Sequence, residues 1–168
     1  MKGDRKAQFQ LYKLYYKAMY NTSLRIVNET MEAEDIMQEA FLSAFAKMDT
    51  YEGEVSFGAW LKRIVINKSL DSIKKKSLDL DSLDETVIEI PDSKAEPESF
   101  EGPDYKIEEI REAITRLPEK YRIVLSLYLV EGYDHEEIAG ILGINSSTSR
   151  SQLVRAKQKL IKIITEDH

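Results

Sequence analysis

An all-α fold of two small helical domains joined by an acidic linker is what the 168-residue sequence predicts, and three observations predict it. No segment sustains the apolar and polar alternation of a half-buried strand, whereas apolar residues recur at helical spacing in both flanks of the chain. Charge is unevenly spread: residues 1–76 carry a net +3, residues 77–104 a net −9 and residues 105–168 a net of zero, within an overall −6. Three of the four prolines (Pro91, Pro97, Pro103) fall in the acidic stretch, which has no period of 3.6 or 2. Residues 77–104 therefore read as a flexible, solvated linker. The flanking domains, 1–76 and 105–168, each lie near the lower size at which one core suffices.

Helices are expected near 5–28, 32–49, 55–75, 105–116, 118–131, 135–142 and 147–165. The first rests on helical periodicity alone. On the second, Ile36, Met37, Ala40, Phe41, Ala44, Phe45 and Met48 fill one broad arc, a core face. The other arc gathers Asp35, Gln38, Glu39 and Leu42, an exposed leucine ringed by two acids and an amide, which suits docking against a basic partner surface. Read as a catalytic pair, Asp35 and Glu39 lack a pocket to separate their pKa values.

Around the start of the third helix, Gly53 and Gly58 have the spacing of a phosphate loop, but Ala59 and Trp60 stand where Lys and Ser or Thr are needed. Phe57, Trp60 and Leu61 read as core. Arg63, Asn67 and Lys74 share one narrow arc, with Lys75 and Lys76 just beyond. A polar stripe ending in lysines, preceded by a loop bearing Tyr51, suits single-stranded or partly opened DNA, where cations follow the backbone and rings stack on bases. For Tyr51 a place in the core is an equal alternative.

In the second domain Pro118 suits the first turn of its helix, and Asp134 with Glu137 forms a capping-box pattern. A turn through Gly143 and a new helix opened by Asn145 or Ser146 complete the grammar of a helix-turn-helix. Along the last helix Leu153, Ala156, Leu160, Ile163 and Ile164 form one stripe that can seal against Ile138, Ile141 and Leu142. Ser147, Ser151, Val154, Arg155, Gln158 and Lys162 occupy the opposite arc, with Arg150 on its shoulder. Five basic residues and no acid lie between Asn145 and Thr165, as a helix entering a major groove requires. Val154 lies off the apolar stripe and could meet a thymine methyl. His135 is expected to be exposed or close to phosphate.

Several function classes are excluded. The absence of cysteine removes disulfides, thiolate metal sites and thiol nucleophiles, and two histidines leave little for a metal centre, so no metal or cofactor is expected. The acidic run at Asp79, Asp81, Asp84 and Glu85 fails as a calcium loop: Leu83 holds the fifth position, Asp84 the sixth where Gly is needed, and Ile90 the twelfth. The longest apolar runs, such as 123–125 and 127–130, are far below the roughly 20 residues of a bilayer span, and the N-terminus has no apolar leader core. A cytoplasmic protein without membrane insertion is the expectation.

Ala33-Glu-Asp-Ile-Met-Gln-Glu-Ala-Phe-Leu and Phe57-Gly-Ala-Trp-Leu-Lys-Arg-Ile-Val-Ile-Asn-Lys-Ser-Leu-Asp resemble region 2 of the extracytoplasmic-function (ECF) sigma factors of the bacterial sigma-70 family. Leu117-Pro-Glu-Lys-Tyr-Arg-Ile-Val-Leu, Glu131-Gly and Glu137-Ile-Ala-Gly-Ile-Leu-Gly-Ile resemble region 4. The resemblance implies a non-enzymatic transcription initiation factor that binds core RNA polymerase, directs it to specific promoters and helps melt the minus-10 region. It implies that Asp35, Gln38, Glu39 and Leu42 dock on the clamp helices of the β′ subunit. Tyr51, Arg63, Asn67 and, less directly, Lys74 would meet the minus-10 element. Ser147, Thr148, Arg150, Ser151 and Arg155 would read the minus-35 element, while the rest of that domain meets the β-subunit flap. An anti-sigma factor is a further implied partner. One departure stands out: many members read Thr-Val-Lys/Arg-Ser-Arg where this chain has Thr148-Ser-Arg-Ser-Gln152, so the phosphate contact implied for that arginine does not carry over to Gln152 by resemblance. On the residues alone, an ordinary helix-turn-helix regulator and a helical protein-interaction module remain alternatives.

Overall fold

The computed structural model describes residues 4–79 and 106–167, which contain helices and no strand. The chain divides into two compact units, residues 1–81 and 82–168.

The first unit packs three helices, α1 (Arg5–Val27), α2 (Thr30–Ala46) and α3 (Phe57–Asp79), with a short 3-10 turn at Met48–Thr50. Asp4 starts α1 by accepting from the Lys6 and Ala7 amides, and Asn28, in the left-handed region at φ 57°, closes it with an N–H to the Leu24 carbonyl. Glu29 at once caps α2 through the Met31 and Glu32 amides, so α2 begins two residues earlier than its apolar periodicity suggests. The core consists of Met19, Met37, Ala40, Phe41, Ala44, Leu61 and Val65, with Tyr12, Tyr15, Phe45, Phe57 and Trp60 among the half-buried rings around it. Gly58 is required by close approach: a Cβ there would stand 2.7 Å from the Tyr15 ring. A buried hydrogen bond of 2.9 Å between the Ser23 and Ser69 hydroxyls ties α1 to α3.

α3 runs to Asp79, three residues past the end at 76 expected for this domain. Ser77, Leu78 and Asp79 hold no helix breaker, so the linker expectation is corrected for 77–79, whereas most of the acidic stretch lies outside the described residues.

The second unit contains α4 (Ile107–Thr115), α5 (Glu119–Leu125), α6 (His135–Leu142) and α7 (Ser146–Glu166). The helix expected over 118–131 is α5 followed by a wider π turn, Ser126–Val130, in which the Glu131 amide reaches back to the Ser126 carbonyl. Leu117, Tyr121, Val124, Leu125, Leu153 and Ala156 form the core, with Leu142, Leu160 and Ile163 packed against it. The apolar stripe of α7 therefore seals on α5 as well as on α6. Asp134 and Glu137 make the capping box of α6, and Gly143, at φ 68°, ends that helix in the left-handed conformation that glycine adopts freely. Asn145 then opens α7 through the Thr148 amide. Among the described residues no helix is long and apolar enough to cross a membrane.

Candidate nucleic-acid and protein interfaces

On α2, Asp35, Gln38, Glu39 and Leu42 are all exposed and share the face opposite the core, Leu42 remaining 69% exposed. The neighbouring Glu32 serves a structural role instead. It accepts from Ser72 and Lys76 and so fastens the start of α2 to the end of α3. Partial burial raises the Glu32 pKa, but hydrogen bonds from Lys76 and Ser72 and the charge of Lys76 outweigh it, leaving the carboxyl below its ordinary value.

The structure adds a feature that sequence reasoning missed. A groove of about 440 Å³ runs beside the patch, with Arg5, Gln8, Phe9 and Tyr12 of α1 facing Gln38, Phe41, Leu42 and Phe45 of α2. Phe9, like Leu42, is largely exposed on its rim. The available signal was that α1 carries five basic residues, no acid and a row of aromatic side chains.

Tyr51 is half-buried. Its hydroxyl donates to the Val55 carbonyl at 2.6 Å, and its ring centroid lies 5.1 Å from that of Trp60 and 6.0 Å, edge-on, from that of Phe57. The ring is thus one wall of an aromatic cluster at the start of α3. Arg63, half-buried, and Asn67 and Lys74, both exposed, follow along one arc of that helix. Lys76 is engaged by Glu32.

On α7, Ser147 and Arg150 are exposed and Thr148, Ser151 and Arg155 half-buried. The Ser147 and Thr148 hydroxyls both donate to Asn145 Oδ1, at 2.8 and 2.7 Å, and the Ser151 hydroxyl donates to the Ser147 carbonyl at 3.0 Å. The first turn of α7 is therefore held by its own cap, and each hydroxyl that donates within the helix keeps lone pairs with which to accept. Arg150 and Arg155 supply the positive charge beside them.

His135 is not a bare surface side chain. Its Nδ1 lies 2.8 Å from the hydroxyl of the fully buried Ser149, and its ring stacks on Tyr128 at 4.7 Å and 20°. Burial pushes its pKa down, Arg150 and Lys157 push it further, and Asp134 and Glu136 oppose them without cancelling the shift. Among the described residues no group of three or more His, Cys, Asp or Glu side chains is arranged to hold a metal ion.

Residues 11–78 match the profile described as Sigma-70 region 2, and residues 107–160 match Sigma-70, region 4. The chain is 31% identical over 170 residues to the ECF RNA polymerase sigma factor SigW of Bacillus subtilis, an alignment covering 96% of this chain and 90% of that relative. The chain belongs to the ECF group of the sigma-70 family. This ECF sigma factor is also 29% identical to the ECF RNA polymerase sigma-E factor of Escherichia coli, over 95% of its own length and 87% of the relative's. Among solved structures it is similar in fold to the sigma factor RpoE of Bartonella quintana in complex with the anti-sigma factor NepR. The TM-score there is 0.64 at 23% identity, covering 97% of this chain and 99% of that one. CnrH, solved with the cytosolic domain of CnrY, gives a TM-score of 0.58 at 19% identity, covering 99% and 92%. As a sigma factor the protein is a transcription initiation factor and not an enzyme. The region 2 match spans the α2 patch, the Tyr51 loop and almost all of α3, and the region 4 match spans α4 to most of α7.

Proposed function

We propose that this sigma factor docks on core RNA polymerase through Asp35, Gln38, Glu39 and Leu42, with the β′ clamp helices as the surface met, and that α7 reads the minus-35 element. Tyr51, Arg63, Asn67 and Lys74 meet the opened minus-10 element, and the rest of the region 4 unit meets the β flap. Residues 1–76 and 105–168 act as the two binding domains, tethered by the acidic stretch between them, in a cytoplasmic protein. The observation that carries the reading is that one chain pairs an acid-rimmed apolar helix face with a capped helix-turn-helix whose last helix carries five basic residues and a single acid, Glu166 in its last turn. Control by an anti-sigma factor is part of the proposal, supported by the complex in which the fold neighbour RpoE was solved.

The test is reconstitution. The full chain is expected to co-elute with core polymerase and to confer promoter-specific run-off transcription. Tight duplex binding by the chain alone, with no effect on core polymerase, would instead favour an ordinary helix-turn-helix regulator.

A further inference from the structure

Ser149 occupies an unusual place on the reading helix. It is 0% exposed, yet its neighbours Thr148, Arg150 and Ser151 are the side chains assigned above to the minus-35 element. It also stands where the family pattern quoted from the sequence has valine. Valine would fill that space by volume alone. A buried hydroxyl needs a partner, and here the partner is His135 on the preceding helix, at 2.8 Å. The His135 ring rests in turn on Tyr128, so three consecutive elements, the π turn, α6 and α7, each contribute one side chain to a single stack. A hydrogen bond has direction, which valine packing lacks, and it therefore fixes the roll of α7 about its own axis. That roll matters: on a helix whose side-chain ends lie about 6 Å from the axis, a turn of about 10° moves them by about 1 Å. Displacement on that scale spoils hydrogen bonds to base edges, whose useful range is about 2.7–3.2 Å.

We propose that His135 is a positioning residue for minus-35 recognition, acting through Ser149 with its imidazole neutral, so that reading by α7 is sensitive to acid. The inference rests on the assignment of α7 to the minus-35 element.

The groups around the ring give the sign. Asp134 and Glu136 on its own helix favour the cation, whereas burial, Arg150 and Lys157 on α7 disfavour it, and Tyr128 supplies an uncharged face. The balance lies below the ordinary histidine value of 6.5. A group whose pKa is lowered by folding contributes stability that is complete above its unfolded pKa and is lost as pH falls through the folded one. In the proposed neutral form Nδ1 accepts from the Ser149 hydroxyl; protonation makes Nδ1 a donor, so the hydroxyl must turn to accept instead, and it sets a cation against Arg150, itself one of the proposed DNA contacts.

The experiment uses the full chain assembled with core polymerase and two forms of a promoter identified by start mapping, one intact and one with its minus-35 block scrambled. The ratio of run-off transcription from the two is measured from about pH 7.5 down to a pH below the His135 midpoint found by NMR titration, a ratio in which effects on melting or catalysis by polymerase cancel. The wild-type ratio is expected to fall roughly 3- to 10-fold on acidification, because the reversed hydrogen bond turns the Ser149 hydroxyl and the imidazolium repels Arg150. His135→Asn keeps a hydrogen-bonding group near Ser149 without titrating, and its ratio should stay flat. His135→Ala and Ser149→Ala should each lower the ratio at about pH 7.5 by roughly the same factor, and together by no more than the larger single effect. A proton NMR titration of the free chain, which has only His135 and His168 to resolve, should place His135 below the ordinary histidine value of 6.5. A flat wild-type ratio, an unchanged pH slope in His135→Asn, or additive losses in the double variant would each overturn the proposal. Arg150→Ala and Arg155→Ala separate it from the reading beneath it. If both leave the ratio unchanged, α7 does not read the minus-35 element; if they lower it while the His135 variants do not, only the role of His135 is refuted.

Discussion

Phe41 and Leu42 are adjacent on α2, one buried in the core and the other exposed at its surface, which separates stability from docking in two substitutions. Phe41 is 2% exposed, with its ring 4.9 Å from that of Tyr12 and 5.9 Å from that of Phe45. Phe41→Ala leaves a cavity in the three-helix core and is expected to cost about 3–5 kcal/mol, a large share of the stability of a unit this size. Leu42, 69% exposed, contributes little to folding, so Leu42→Ala should change stability by no more than about 0.5 kcal/mol. If its free surface is covered by polymerase, full burial of a leucine, worth about 1.5–3 kcal/mol, scales with that exposed fraction to about 1–2 kcal/mol. The affinity for core polymerase should then fall roughly 5- to 30-fold. Thermal unfolding of the free protein and titration of labelled protein against core polymerase measure the two quantities independently. Wild-type affinity in Leu42→Ala, or a loss of stability comparable to that of Phe41→Ala, would refute the reasoning.

Three further outcomes are expected. Asp35→Lys with Glu39→Lys should weaken polymerase binding while leaving helicity unchanged, and the loss should shrink as salt rises, as screening of exposed charges requires; equal binding at low salt would remove the patch from the interface. Glu32→Gln should destabilise the first unit at neutral pH, and its deficit relative to the wild type should vanish as pH falls below the ordinary carboxyl value of 4.5 and through the lowered value of Glu32, a comparison made by thermal melts across that range. Asn145→Ala should cost the second unit about 1 kcal/mol and reduce minus-35 discrimination as well, because the same oxygen holds the Thr148 amide and the Ser147 and Thr148 hydroxyls; unfolding and promoter assays check the two parts.

Much of this was legible in the sequence because helical periodicity and capping residues are local. The core face of α2, the capping box at Asp134 and the Gly143 turn follow from spacing alone, and the outward face of Asp35, Gln38, Glu39 and Leu42 follows by subtraction. What escaped depends on contacts between residues far apart in the chain or on geometry that no periodicity encodes. The carboxylate of Glu29 as a cap moved the start of α2, since Glu is a weak indicator of that position. The π turn after Leu125 has no sequence mark. The groove between α1 and α2 needs the pairing of Phe9 with Leu42, more than thirty residues later. Tyr51 was balanced between base stacking and core, and its place against Trp60 depends on a loop closing back on α3. His135 looked like surface because a lone histidine in a first turn usually is, and only the folded turn brings Ser149 beneath it.

Start mapping with the reconstituted protein tests the central assignment most directly: core polymerase alone and core polymerase with the full chain transcribe the same genomic DNA, and the 5′ ends are compared. Transcripts that appear only with the chain, sharing one minus-10 and one minus-35 element at a fixed spacing, are the predicted result. The same set of 5′ ends with and without the chain, or new ends with no shared upstream elements, would contradict it.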